Sequence, residues 1–259
     1  MKNPAAGGGR WVEVPPERFV SWIITFAERH GGSGGVAVAW SAMPDPNGGT
    51  VTFSAVDGAA AQCHPPFPSA VSLAGLLPPL DGPIPPDWAP GRDDGQRGVA
   101  EALAADAAAD RTVGVLLVRL GGYAVGVFRG APPRLVSSKT GSRPVHGRSA
   151  AGGWSQQRFA RRRENQAATA LRAAADAAAE VFGPYGPAGL DAVVLGGDKR
   201  SAAGLRDDAR LAGYLALAAA GRFLTVPDPT LAELRDTPRA FQAIRIRLTE
   251  PESDGPVPG

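Results

Sequence analysis

One cysteine, two methionines and three histidines in 259 residues leave several kinds of chemistry without material. Cys63 alone forms no internal disulfide, and such scarcity suits a reducing compartment. Cys63 and His64 are adjacent but have no partners at ligand spacing, so neither a metal nor another cofactor is expected. The default reading of that pair is a buried thiol beside a surface histidine. No apolar run approaches the ~18–20 residues that cross a membrane, and no membrane partner is expected. Residues 1–10 lack an apolar core; they read as a disordered start and not as a secretory signal. The most informative absence is of acid: from Arg111 to Arg163 there is no Asp or Glu.

That acid-free stretch holds eleven basic residues: Arg111, Arg119, Arg129, Arg134, Lys139, Arg143, Arg148, Arg158, Arg161, Arg162 and Arg163. The formal net charge is only +2, so the rest of the chain, with 16 basic and 25 acidic residues, is acidic. A basic block inside an acidic protein is the electrostatic footprint of a polyanion. The plainer reading is a solvated charged face whose partners sit on other elements, and the length of the gap weighs against it. The 34 glycines and 25 prolines, with abundant Ala and Arg, reflect a high-GC coding bias, so alanine-rich segments carry little helix information by themselves.

An N-terminal α+β unit is expected over residues 11–64. Pro15-Pro16 opens a helix, Phe19, Trp22, Ile23 and Phe26 share one face at i, i+3, i+4, i+7, and Gly31-Gly32 ends it. Residues 31–35, Gly-Gly-Ser-Gly-Gly, otherwise read as a flexible turn. Residues 36–40 and 51–56 read as a hairpin around a Pro/Asn/Gly turn at 44–49. Residues 65–95 form a proline-rich, semi-rigid connector. A second domain is expected over 96–249, beginning with a helix at about 96–110. Strands follow at 113–120, 123–128 and 134–139, the first two joined at Gly121-Gly122. A polar loop over 140–155 leads into a long helix at 156–182. Then come a strand at 190–195, a helix at 201–219, a strand at 223–226, a helical turn at 231–235 and a last strand at 241–248. Residues 250–259 form a disordered tail. Three successive strands and then alternating helix and strand make a mixed sheet with flanking helices, so the fold class is α/β.

A glycine-rich loop running into the long helix is where chemistry concentrates. A helix N-terminus offers free peptide N–H groups and a partial positive charge, which together hold phosphate. Arg158, Arg161 and Arg162 share a face by i, i+3, i+4 spacing. The run Gly152-Gly153-Trp154-Ser155-Gln156-Gln157-Arg158-Phe159-Ala160-Arg161-Arg162-Arg163 resembles the loop and following helix of archaeal and eukaryotic class I release factors. Those carry Gly-Gly-Gln-Ser, two further residues and then Arg-Phe-Ala-Arg. The surrounding order is similar as well: three strands precede the loop, and Asp191-Ala-Val-Val-Leu-Gly-Gly197 resembles the strand after the long helix in that family's central, RNase H-like domain. The resemblance runs from about residue 112 to residue 226.

Trp154 stands where that family has its glutamine, and Gln156 and Gln157 follow. The shifted Gly-x-x-Gln is similar to the Vms-like release factor family, above all its bacterial branch. The resemblance implies a peptidyl-tRNA hydrolase of ribosome rescue and translation quality control. It would be cytoplasmic, act on the ribosomal large subunit with peptidyl-tRNA and ribosomal RNA as partners, and need no cofactor. With no codon-reading domain apparent, stalled large subunits are expected as the site of action in place of stop codons. The chemistry is sound: hydrolysing an activated ester needs a placed water and a stabilised oxyanion, not a protein nucleophile. A glutamine amide donates and accepts and stays neutral, and glycines let the backbone approach RNA closely. Gln156 is the first candidate by the Gly153-x-x-Gln156 spacing, and Gln157 the second. Gly152, Gly153, Trp154 and Ser155 build the loop; Arg143, Arg148, Arg158, Arg161, Arg162 and Arg163 hold phosphates. Trp154 either stacks on a base or staples the loop to the helix.

Competing readings are set by what is missing. Ser155 lacks the second glycine of a nucleophile elbow and reads as a helix N-cap. His146 either binds phosphate or packs locally. Gly196-Gly197-Asp198-Lys199 lacks Walker spacing and reads as a strand-to-helix turn. The core strands supply no acidic metal ligands, against a metal-dependent nuclease. A metal-free nuclease acting at the tRNA terminus and a non-catalytic ribosome- or RNA-binding module of the same fold remain the alternatives. The N-terminal unit is given no chemistry: ribosome docking and packing along the sheet are both open, and the oligomeric state is not legible.

Overall fold

The computed structural model describes residues 3–4, 8–41, 49–67, 93–119, 121–142 and 155–251, with helix backbone alone for 155–167. It is a mixed α/β protein of two compact units. The first comprises residues up to Ala109 together with Gln242 onward; the second, Asp110–Phe241, is inserted between them. This division differs from the expected boundaries: the helix before residue 110 and the last strand both belong to the first unit. The turn at 44–48, most of the proline-rich connector, the loop at 143–154 and the tail at 252–259 lie outside the described residues.

In the first unit, strands β1 (Asn3–Pro4), β2 (Arg10–Val14), β3 (Val36–Ser41), β4 (Thr50–Ala55), β5 (Ala60–His64) and β11 (Ile244–Thr249) form one antiparallel sheet in the order β1-β2-β11-β5-β4-β3. Asn3 and Pro4 pair with Trp11 and Arg10, so the start expected to be disordered is partly a strand edge. The helices α1 (Pro16–His30) and α2 (Asp93–Ala108) belong to the same unit. The turn of α1 brings Phe19, Ile23 and Phe26 to one buried stripe, as their spacing predicts. They meet Leu103 and Ala107 of α2 and the alternate residues Val51, Phe53, Ala61, Cys63, Ile244 and Ile246. Strand period two explains that selection: one face of each strand enters the core. β11 lies at the middle of the sheet, hydrogen-bonded to β2 on one side and β5 on the other.

The second unit holds β6 (Val113–Arg119), β7 (Gly122–Arg129), β8 (Arg134–Ser142), α3 (Ser155–Phe182), β9 (Ala192–Gly197), α4 (Lys199–Gly204), α5 (Ala212–Leu215), β10 (Ala218–Leu224) and α6 (Leu231–Phe241). The sheet order is β10-β9-β6-β7-β8; β6–β7 and β7–β8 pair antiparallel, and β6–β9 and β9–β10 pair in parallel. β6 is central and buried on both faces, which is why it reads as an unbroken apolar run. On one face Leu116, Val118, Val125 and Val127 meet Ala174, Ala178 and Phe182 of α3 and Tyr214 of α5. On the other, α6 packs over β7: Phe128 and Phe241 are edge-to-face at 5.6 Å, and a Cβ on Gly126 would come within 3.0 Å of Leu234 Cδ2.

The expected helix over 201–219 is instead α4, two 3₁₀ turns and α5. Gly204 and the Asp208 side chain, which accepts from Arg210 N at 3.0 Å, break it. Ala218 pairs with Val193 as a strand residue, so sheet pairing overrides alanine's helix preference. At the end of β9, Gly197 holds φ +98°, and a Cβ there would collide with the Val118 carbonyl oxygen. Gly186, at φ +63°, has open space around the same position. With ψ 169°, Gly186 sits in a region that essentially only glycine populates, so Gly186→Ala should destabilise by roughly 1–3 kcal/mol from backbone strain alone. Gly197→Ala should lose at least about twice that in denaturant unfolding, because neighbouring backbone must shift as well. Equal losses would mean that the collision relaxes freely.

Candidate functional site

The long helix α3 is the element that organises the site. It runs 28 residues, about 42 Å at 1.5 Å per residue. Among its described side chains, Ala168 and Thr169 are exposed and burial begins at Ala174. From there Ala174, Ala175, Ala177, Ala178, Val181 and Phe182 seat the helix on the sheet. Two ion pairs flank this root: Lys139 on β8 with Glu180, and Arg210 with Asp176 at 2.8 Å. Arg210 also pairs with Asp208 at 2.7 Å. Hydrogen bonds to Asp208 and Asp176 raise the Arg210 pKa, and the Glu180 carboxylate raises that of Lys139. Both pairs are solvent-exposed and orient more than they stabilise.

At its other end, helix backbone begins at Ser155, 19 residues and roughly 28 Å before Ala174. Positions 156 and 157 lie in the first turn, about 100° apart around the axis. Positions 158, 161 and 162 follow on one face, with 163 beside them. The first turn contains no acidic residue. For Ser155, Gln156, Gln157, Arg158, Arg161, Arg162 and Arg163 the backbone alone is described. Arg143, His146, Arg148, Gly152, Gly153 and Trp154 lie outside the described residues.

Arg119 and Lys139 of the basic block are already engaged. Arg119 Nη1 donates to the carbonyls of Val226, at 3.2 Å, and Pro227, and its charge acts on Asp198. Lys139 is held by Glu180. Arg129 and Arg134, opposite each other where β7 meets β8, are exposed. Composition counted all of these alike; only the fold separates bracing from available charge.

The turn at Gly196-Gly197-Asp198-Lys199 is a strand-to-helix turn. Asp198 caps α4, accepting from Arg200 N and Ser201 N at 3.2 Å each and from Ser201 Oγ at 2.6 Å. Its carboxyl is held below the usual aspartate range, first by the Ser201 hydroxyl and then by those N–H groups. In the first unit, His64 is buried and not on the surface as expected: its ring meets Trp11 edge-on at 5.1 Å. Cys63 is fully buried, and burial pushes its thiol pKa up, which leaves it unreactive. His30 Nδ1 lies 2.8 Å from Asp57 Oδ2. Among the described residues there is no group of three or more His, Cys, Asp or Glu placed to hold a metal ion, and no helix long and apolar enough to cross a membrane.

A five-stranded mixed sheet, antiparallel across β6, β7 and β8 and parallel across β6, β9 and β10, with a long helix whose first half is basic in sequence, makes the second unit a mixed α/β unit. Residues 111–247 match the profile described as Actinobacteria/chloroflexi VLRF1 release factor, and the chain belongs to that family. Among solved structures, the archaeal translation termination factor aRF1 is similar at 14% identity and a TM-score of 0.33, over 90% of this chain and 66% of its own. A second archaeal protein is similar at 14% identity and a TM-score of 0.33, over 88% of this chain and 62% of its own. The chain thus spans a little under two thirds of the length of these relatives. No curated protein matches.

The Asp198 cap makes a pH prediction. A carboxyl whose folded pKa is depressed stabilises above its unfolded value and loses that contribution as pH falls through the folded one. Asp198→Ala should lower stability by about 1 kcal/mol near neutrality. That deficit should hold down to about pH 5 and shrink below about pH 4, as the wild-type carboxyl takes up a proton. Urea titrations of both proteins across that range measure it; a deficit independent of pH would assign the loss to packing.

Proposed function

We propose that this chain is a peptidyl-tRNA hydrolase that frees nascent peptides from stalled ribosomal large subunits in the cytoplasm, with Gln156 as the acting amide and Gln157 as the second candidate. The observation that carries the reading is the start of α3. Helix backbone begins at Ser155, immediately after Gly152-Gly153-Trp154, so both glutamines fall in its first turn. Peptide N–H groups there have no partner within the helix and face whatever anion approaches. The RNA end of the substrate supplies phosphates, and its ester carbonyl becomes an oxyanion during hydrolysis. An amide side chain in this turn both positions a water and donates to that oxygen. Arg143, Arg148, Arg158, Arg161, Arg162 and Arg163 hold the RNA backbone, and the loop of Gly152, Gly153, Trp154 and Ser155 brings the amide to the ester.

The same arginines are out of place for helix stability. A helix N-terminus favours acids, and a cation near it costs roughly 0.3–1 kcal/mol. Charge placed against the helix's own preference is expected where an anionic partner completes the turn. Arg158→Glu should accordingly increase hydrogen-exchange protection of the first turns of α3 while weakening ribosome binding. Loss of both would reduce that arginine to a structural residue.

The direct test is release of labelled peptide from peptidyl-tRNA on stalled large subunits. Wild type should release without a stop codon. Gln156→Ala should slow release by roughly 100-fold with ribosome binding intact, the order expected for removing one oxyanion donor. Loss in Gln157→Ala instead would move the role one residue. Arg161→Gln and Arg162→Gln should weaken ribosome binding and flatten its salt dependence, whereas Arg119→Gln and Lys139→Gln should change it little. A shortened tRNA with the ester intact would establish the nuclease alternative, and binding without release or cleavage the non-catalytic module.

A further inference from the structure

A groove of about 450 Å³ in the first unit runs between α1 and β2. Arg10, Arg18 and Arg29 line it, against one acidic lining residue, Glu13. Arg10 is paired with Glu250 at 3.3 Å. Arg18 and Arg29 are exposed, and neither has an ion pair among the described residues. Eleven residues apart on one helix, they stand on nearly the same azimuth, roughly 16 Å from each other along the axis. Glu17 and Glu28 adjoin them in sequence, but successive helix positions do not face each other. Between the two arginines lies Trp22, half-buried and stacked on Phe26 with ring centroids 5.8 Å apart and planes 5° from parallel. Trp22 and Phe26 both line the groove.

We propose that this groove binds single-stranded RNA, with Arg18 and Arg29 on backbone phosphates and a base stacked in line with Trp22 and Phe26. Two cations at a fixed spacing with a flat aromatic between them are the elements of a sequence-tolerant single-strand site. A duplex keeps its bases stacked on each other and offers no free face to Trp22, so an unpaired segment is the fitting ligand. An acidic peptide would answer the charge but leave the stacked pair unused. The site lies in the unit to which the sequence assigns no chemistry, and it does not depend on the hydrolase reading.

The test uses the full chain and a fluorescein-labelled octauridylate, read by polarisation. It is run in a background carrying Arg158→Gln, Arg161→Gln and Arg162→Gln, so that the helix α3 contribution is removed. Residual binding is expected there. Adding Arg18→Gln with Arg29→Gln should weaken it about tenfold or more and lower the slope of log affinity against log salt by about 1.4, two phosphates at about 0.7 each. Trp22→Leu should weaken it roughly tenfold with a smaller change in slope. Should Trp22→Leu unfold the unit by circular dichroism, the two exposed arginines carry the test alone. Equal affinity and slope with and without those arginines would overturn the proposal. So would displacement of the RNA by a polyglutamate peptide that binds the same arginines more tightly, which would give the groove to a protein partner. Peptide release is measured separately, so failure of either reading leaves the other standing.

Discussion

Close seating of α3 on the sheet is the contact on which the second unit depends. Ala174, Ala175, Ala177 and Ala178 are all buried, and their small side chains let the helix approach β6 and β7 where larger ones would hold it off. Phe182 then fills the space above Gly114, where a Cβ would stand only 3.1 Å from its ring. β6 must be apolar on both faces because α3 covers one side and other core residues the other. Burying Phe182 and Val181 contributes about 1.5–3 kcal/mol each, enough to hold one end of a long helix firmly. Among the described side chains of α3 the buried ones lie at this root, and in the sequence of the first turns, 19 residues upstream, a second constraint enters.

That constraint is electrostatic. Two helices of the chain follow the dipole at both ends: α1 carries Glu17 in its first turn and Arg29 and His30 in its last, and α6 carries Glu233 in its first turn and Arg239 in its last. α3 opens with no acid and then places Arg158, Arg161, Arg162 and Arg163 in its first three turns. In α4 the cations Lys199 and Arg200 at the start are offset by the capping Asp198 carboxylate, whereas in the sequence of α3 the first acid, Glu164, comes only after the four arginines.

What was legible in the sequence follows from how each segment is stabilised. β6, β7 and α3 lie within a residue or two of expectation, because continuous apolar runs and a long periodic helix report their own burial. β5 was missed: Ala60-Ala-Gln-Cys-His64 has little β-propensity and is a strand because β4 and β11 pair with it on both sides. β11 was expected as a strand but placed in the wrong sheet, since the alternation of Ile244, Ile246 and Leu248 states that one face is buried and not against what. The basic block was legible as charge and overcounted as a surface. Arg119 and Lys139 find partners 107 and 41 residues away, which no local pattern shows. The roles of Gln156 and Gln157 rest on spacing and resemblance alone, because an amide's function depends on the ester it meets.

The chain's path explains how an inserted unit coexists with a sheet that needs β11 at its centre. The first unit is left at Ala109 and re-entered at Gln242, and Gln242 Nε2 donates to Ala107 O at 3.4 Å, so exit and return lie side by side. Within the second unit the two ends also converge. Asp110 Oδ1 accepts from Gly130 N at 3.0 Å, and Phe241 packs on Phe128, two residues before Gly130. Adjacent ends are what make a domain insertable. Asp110–Phe241 is 132 residues; closing it as a flexible loop would cost about 4 kcal/mol by the logarithmic length dependence. Once the second unit folds, its ends are already together and that cost falls away, so β11 can enter its slot between β2 and β5. The family match, which runs from 111 to 247, includes most of a strand whose sheet partners lie outside it. The matched range therefore runs past the second unit into the central strand of the first unit's sheet.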